Sequence, residues 1–180
     1  MKILFLGYDK KKTSLINFLE KRGHKVKHTL DKVNDFSAYD FVISFGYQHI
    51  IKKFSTLARP IINLHISYLP FNRGAHPNFW AHYDRTPSGV SIHEIDEGID
   101  TGPVLFQKKI NFNNNESLES SYIKLHKEIE KLFIDNIVVI ENNEYEKHQM
   151  SDIGTFHVKK ELPNWVKWQM TIEEVHKKDA

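Results

Sequence analysis

The chain has 180 residues, 40% hydrophobic and 27% charged, with 25 basic against 23 acidic side chains and a formal net charge of +2. That composition is an ordinary globule's, with enough chain for one sizeable core, and its near-neutral balance argues against nucleic acid as a partner. Cysteine is absent, which excludes disulfides and thiolate metal sites, and the apolar start at residues 1–6 is too short for a signal peptide or a membrane span; a cytoplasmic protein without a membrane partner is expected.

Residues 2–7 form an apolar run ending in glycine and predict a buried strand, and 13–22 predict an amphipathic helix closed by Gly23. A second strand is expected at 25–29 and a third at 40–46, ending at Gly46, with a helical segment over 49–57. Residues 60–65 predict a fourth strand. Strands alternating with helices imply βαβ units, and so an α/β, Rossmann-like, mainly parallel sheet flanked by helices. Ligands of such sheets sit at the carboxyl ends of the strands, which is where Gly46, Asn63 and His65 fall. Further on, 77–84 reads as a short helix, 89–94 and 103–110 as paired strands around an acidic loop, 111–116 as a turn and 118–140 as one long helix. Residues 1–140 make the main domain. The polar segment 141–180, with Trp165 and Trp168, reads as a short C-terminal extension docked on it.

Two segments carry chemistry. The first runs Asn63-Leu64-His65-Ile66-Ser67, then Leu69-Pro70, Arg73-Gly74 and Pro77-Asn78; the second is His93-Glu94-Ile95-Asp96-Glu97-Gly98-Ile99-Asp100-Thr101-Gly102. On a strand, the two-residue spacing aims Asn63 and His65 at the same face. An amide donor, an imidazole and a carboxylate held in a glycine-punctuated loop are the parts needed to move an acyl group to an amine. Each has a plainer reading. Asn63 can cap the following turn, His65 can be a satisfied polar residue, and an aspartate in the acidic loop, Asp96 especially, can order its own turn. His65, His76 and His82 together raise a metal site, but their spacing fits no familiar zinc pattern, so no metal is expected.

These two segments resemble the folate-dependent formyltransferases, and the longer run from Tyr68 to Trp80 is most similar to the branch that formylates amino groups on nucleotide-linked sugars. The resemblance covers roughly residues 1–135 and implies the formyltransferase fold. It also implies N10-formyltetrahydrofolate as formyl donor and a nucleotide-linked amino sugar of surface-glycan synthesis as acceptor. Carried over residue by residue, it makes Asn63, His65 and Asp100 catalytic, with His93 supporting them. It places the pterin against Phe45, Gln48, Ile50, Ile51, Ile95, Asp96 and Gly98, although Ile50 and Ile51 are equally readable as helix core. Arg73, Gly74, His76 and Asn78 become candidates for the sugar or its diphosphate, as does Lys10, whose run Lys10-Lys11-Lys12 also reads as a solvated face. Tyr8, Trp80 and Trp165 can stack on a base or be buried packing.

The chain departs from relatives in two places. Gly7-Tyr8-Asp9-Lys10 stands where the glycinamide ribonucleotide formyltransferases have a Gly-Ser-Gly-type phosphate loop, and only 40 residues follow position 140, against the large carboxyl-terminal domain of the methionyl-tRNA formyltransferases. A formyltransferase for another small amine such as glycinamide ribonucleotide, a histidine-based metal-dependent hydrolase and a non-catalytic ligand-binding domain stay open as alternatives. So does a homodimer.

Overall fold

The computed structural model describes residues 1–51, 59–151 and 153–178. Six strands make one sheet: β1 (Lys2–Gly7), β2 (Lys25–Thr29), β3 (Phe41–Phe45), β4 (Ile62–His65), β6 (Gly89–Glu94) and β7 (Val104–Lys109), in the order β2-β1-β3-β4-β6-β7. The first four are parallel, and β6 and β7 add antiparallel to β4. Strands β1 and β3 are buried on both sides, under α1 and α3 on one face and under the segment around Phe36 on the other, and read as nearly continuous apolar runs. The edge strand β2 is half-exposed and carries Lys25 and Lys27, charges that discourage edge-to-edge pairing.

On one face Ile3, Phe5, Ile43 and Phe45 pack on α1 (Leu15–Lys21) and α3 (Leu118–Asp135) through Leu15, Leu19, Leu125, Ile129 and Phe133. On the other, Leu4, Leu6, Val42 and Ile61 meet Phe36 and Ile51. The Ser117 side chain starts α3 by accepting from Ser120 N–H at 3.0 Å. The expected single helix over 118–140 is two: α3 ends at Asn136, and α4 (Ile137–Asn142) follows. Asn136 leaves the helical region at φ −109°, ψ 8°, and its amide donates to the Leu132 carbonyl at 2.8 Å, a side-chain bond that competes with the helix ladder. The break lets Ile137 and Ile140 turn into the core. Of the helix expected over 49–57, residues 49–51 have no regular structure and 52–58 lie outside the described residues.

The segment after α4 returns to the body. A two-residue strand β8 (Phe156–His157) pairs in parallel with β5 (Arg73–Gly74), a pairing with no period in the sequence to betray it. A 3-10 turn (Lys159–Glu161) and α5 (Ile172–His176) follow. Val175 is buried with Leu118 and with Phe79 and Trp80 of α2 (Pro77–Tyr83), and Trp165, Val166 and Met170 pack around them. Backbone bonds tie the same segment to the start of α3: Leu118 N–H to Met170 O and Glu119 N–H to Trp168 O, both 2.9 Å.

His82 lies in α2, buried against Phe112, and its Nε2 has no hydrogen-bond partner among the described residues. Burial pushes its pKa from 6.5 down to about 4, with His176 adding to the effect and Glu116 opposing it. Between those values the unfolded chain binds a proton that the folded one refuses, so stability is full above pH 6.5 and drains as pH falls towards 4. This group alone is expected to cost about 2 kcal/mol between pH 7 and pH 5. Urea midpoints at the two pH values should show the drop, and His82→Gln should shrink it; a midpoint that does not move with pH would refute the assignment.

Candidate active site

Asn63 and His65 leave the carboxyl half of β4 on one face, as their alternate spacing requires. The loop between β6 and β7 brings Asp100 over them, with Asp100 itself in the left-handed region at φ 51°. Asp96 orders that loop by accepting from Gly98 N–H at 3.0 Å and from the Thr101 hydroxyl at 2.6 Å. Its carboxylate is therefore occupied with the turn, the plainer of its two readings.

Asp100 is gripped from three sides. Gly74 N–H donates to Oδ2 at 2.8 Å, Asn63 Nδ2 to Oδ1 at 3.3 Å, and His65 Nε2 stands 3.7 Å from Oδ2. Gly74 has φ 88° at the β5–β8 pair, and a Cβ there would run into the His157 carbonyl. Only glycine lets the strand of the extension close on the residue that holds the carboxylate. Burial by itself would raise the Asp100 pKa, but the His65 and His93 imidazoles and the Gly74 N–H together hold it well below the usual carboxylate range.

His65 is 8% exposed. Burial lowers its pKa, and Asp100 opposes that, so the ring is biased to the neutral form. Its Nε2–H donates to the Asn72 carbonyl at 3.3 Å, which leaves Nδ1 as the proton acceptor of the neutral ring. Asn72 is held in turn by Thr155 of the extension, whose Oγ1 accepts from Asn72 N–H at 2.7 Å.

His93 is 1% exposed. Its Nδ1 lies 2.8 Å from the Glu94 carbonyl oxygen, and its Nε2 lies 3.1 Å from Asn63 Nδ2 and 3.5 Å from Asp100 Oδ1. Those contacts fix which way the Asn63 amide faces: its nitrogen points at His93 and Asp100. The arrangement is a carboxylate and an oriented amide 3.3 Å apart, with the His65 imidazole 3.7 Å from the carboxylate, at the edge of a cleft of about 880 Å³.

All seven residues expected around the pterin line that cleft: Phe45, Gln48, Ile50, Ile51, Ile95, Asp96 and Gly98. Ile50 is 60% exposed there, whereas Ile51 is 8% exposed and belongs to the core under the cleft floor. These residues offer apolar contact beside backbone polar groups, which suits a flat heteroaromatic ring. Gly74, His76 and Asn78 also reach the cleft, but the Asn78 amide is spent, donating to Leu118 O at 2.8 Å and accepting from Ser121 at 2.9 Å.

Two expected substrate contacts are not brought there. Lys10 points away and pairs with Glu20 at 2.6 Å. Arg73 is in β5 but does not line the cleft, its backbone N–H engaged by Thr155 O at 3.0 Å. Of the three histidines that raised a metal, His82 lies outside the cleft lining, and among the described residues no group of three His, Asp or Glu is arranged to hold an ion. Of the aromatic candidates only Tyr8 lines the cleft; Trp80 stacks on His157 at 3.9 Å and Trp165 packs on Phe79. The residues not anticipated are Glu119, Tyr122 and His126, on one face of α3, and His157, Lys159, Trp168 and Gln169 of the extension. The spacing of the first three, i, i+3 and i+7, was a readable signal.

A carboxylate, an imidazole and an oriented amide thus meet near the carboxyl ends of the parallel strands, where ligands of α/β scaffolds bind. The chain belongs to the formyl transferase family, whose model matches residues 5–137. It is 29% identical over 124 residues to a dTDP-4-amino-4,6-dideoxyglucose formyltransferase of Mycobacterium bovis, covering 69% of this chain and 53% of that protein. A methionyl-tRNA formyltransferase of Thermodesulfovibrio yellowstonii is 40% identical over 102 residues, 54% of this chain and 33% of its own. The chain thus spans about half or less of these relatives. By contrast, the formyltransferase PseJ from Anoxybacillus kamchatkensis, solved with UDP-4,6-dideoxy-4-formamido-L-AltNAc and tetrahydrofolate, superposes with a TM-score of 0.86 at 34% identity and covers 100% of both chains.

Proposed function

We propose that the protein is an N-formyltransferase that moves the formyl group of N10-formyltetrahydrofolate to the primary amine of a nucleotide-linked amino sugar. The observation that carries this reading is the convergence of Asn63, His65 and Asp100 beside a cleft whose wall suits a pterin. End-to-end similarity to an enzyme solved with a UDP-linked formamido sugar and tetrahydrofolate supports the same two substrates.

The folate supplies the formyl group; the chain supplies orientation and proton management. Attack of the amine nitrogen on the formyl carbon forms an N–C bond and pushes charge onto the formyl oxygen. The Asn63 amide, turned by His93, is placed to donate to that oxygen by releasing its longer bond to Asp100. The attacking amine must lose a proton, which the Asp100–His65 pair accepts and returns to the departing folate nitrogen. Because Asp100 is ionised and His65 neutral before reaction, the pair is ready to accept. A cytoplasmic location fits the cysteine-free composition. No helix among the described residues is long and apolar enough to cross a membrane.

Incubating the protein with N10-formyltetrahydrofolate and a panel of nucleotide-linked amino sugars should give a product heavier by one formyl group, read by mass spectrometry. Reduced folate alone should raise the melting temperature by mass action. A panel without product, joined to an absent thermal shift, would sink the assignment. Bound zinc with chelator-sensitive hydrolysis would favour the metal-dependent alternative instead.

A further inference from the structure

Part of the cleft wall is left over once the folate residues and the catalytic set are assigned. It comes from α3 and, unexpectedly, from the extension: Glu119 and Tyr122, then Lys159, Trp168 and Gln169, with His76 facing them from the start of α2. Lys159 is exposed and has no ion pair among the described residues, and the acid nearest to it in sequence, Glu161, is already engaged by Val158 N–H at 2.8 Å. The His76 imidazole likewise has no hydrogen-bond partner among the described residues. The Lys159 ammonium and the His76 imidazole therefore share one wall, neither of them held in an ion pair among the described residues. They also feel each other: half-burial and the Lys159 ammonium both bias His76 to its neutral form. Holding like charges together is unfavourable, and an anion between them would reverse the bias.

Trp168 is the second anomaly. It is 41% exposed at the cleft, although the other two tryptophans are packed into the seam between α2 and the extension. Its backbone carbonyl is anchored by Glu119 N–H at 2.9 Å and its ring lies 6.2 Å from Tyr122, so it is a fixed aromatic face with one side open. An open indole beside a lysine ammonium and an imidazole matches a nucleoside diphosphate: π-stacking for the base, a point charge and an N–H donor for the phosphates. The Glu119 carboxylate on the same wall can accept from ribose hydroxyls.

We propose that the C-terminal extension is the nucleotide-binding element of the acceptor site, with Lys159 and His76 contacting the diphosphate and Trp168 stacking on the base. This rests on the reading of the acceptor as a nucleotide-linked sugar. It moves the diphosphate contact from Arg73 and Lys10, which do not reach the cleft, to a segment outside the matched family region of residues 5–137.

The test uses the full chain, with UDP and uridine as calorimetric probes and steady-state kinetics on a UDP-linked amino sugar. Lys159→Ala should weaken UDP by about tenfold and leave uridine unchanged, since only the charge is removed. Trp168→Ala should weaken both probes, and Trp168→Phe should restore most of the affinity. In each weakened variant KM for the sugar nucleotide should rise with kcat within about twofold, while the affinity for tetrahydrofolate stays the same. Both side chains are solvent-exposed, so misfolding is not the expected outcome, and a melting curve checks it. If wild type formylates the sugar nucleotide while both alanine variants keep UDP affinity and KM, the extension does not bind the nucleotide and formyl transfer stands. If wild type formylates no sugar nucleotide, the proposed function itself has failed.

Discussion

Replacing Asp100 by asparagine is expected to lower kcat by about a hundredfold or more, with donor affinity and fold close to wild type. Asparagine is the informative replacement for two reasons. It tolerates the left-handed backbone that position 100 adopts, and its carbonyl oxygen can still accept from Gly74 N–H at the site of the present 2.8 Å bond. What it lacks is the negative charge that favours proton uptake at His65. The loss should therefore appear in single-turnover rates and not in tetrahydrofolate binding. Combining it with His65→Gln should cost little more than either change alone, because the two groups would act as one unit. A rate within threefold of wild type for Asp100→Asn would remove the carboxylate from the mechanism.

The second large effect is on architecture. Phe79→Ala is expected to reduce unfolding stability by about 3–5 kcal/mol, the usual range for deleting a fully buried phenylalanine. Phe79 is 0% exposed and lies where α2 meets the extension, with Trp80 at 4.9 Å, Tyr83 at 5.4 Å and Trp165 at 5.8 Å. A cavity there loosens the contact that keeps β8 against β5, and β5 holds the Gly74 N–H on Asp100. Urea denaturation should show the loss, and turnover at temperatures below the new midpoint should fall with it. Unchanged stability would mean that the extension is not docked through this seam.

That Asn63 and His65 belong together was legible because the information is local. Asn63 and His65 are two apart on a strand, and the period of a strand is enough to put them on one face. The glycine-punctuated acidic run announced a tight loop, and the family resemblance singled out Asp100 within it. The strands β1 and β3 were visible as nearly unbroken apolar runs because both of their faces are buried. The end of α3 was missed because Asn136 breaks it through a side-chain hydrogen bond, and the apolar period runs on across the break.

Arg73 and Lys10 mark the other limit. Each has the right chemistry for a phosphate, and neither reaches the cleft, since where a long side chain points depends on partners elsewhere in the chain, such as Glu20 for Lys10. The β5–β8 pair is two residues long and joins positions more than 80 apart, so no periodicity could announce it. By itself the sequence determined the sheet, the family and the chemical identities of the amide, imidazole and carboxylate, all of which follow from short-range pattern and residue type. Only the tertiary structure decided that a polar tail closes the site and that its lysine and tryptophan share a wall with His76. Such contacts are set by chain closure over long separations, for which local propensity carries no signal.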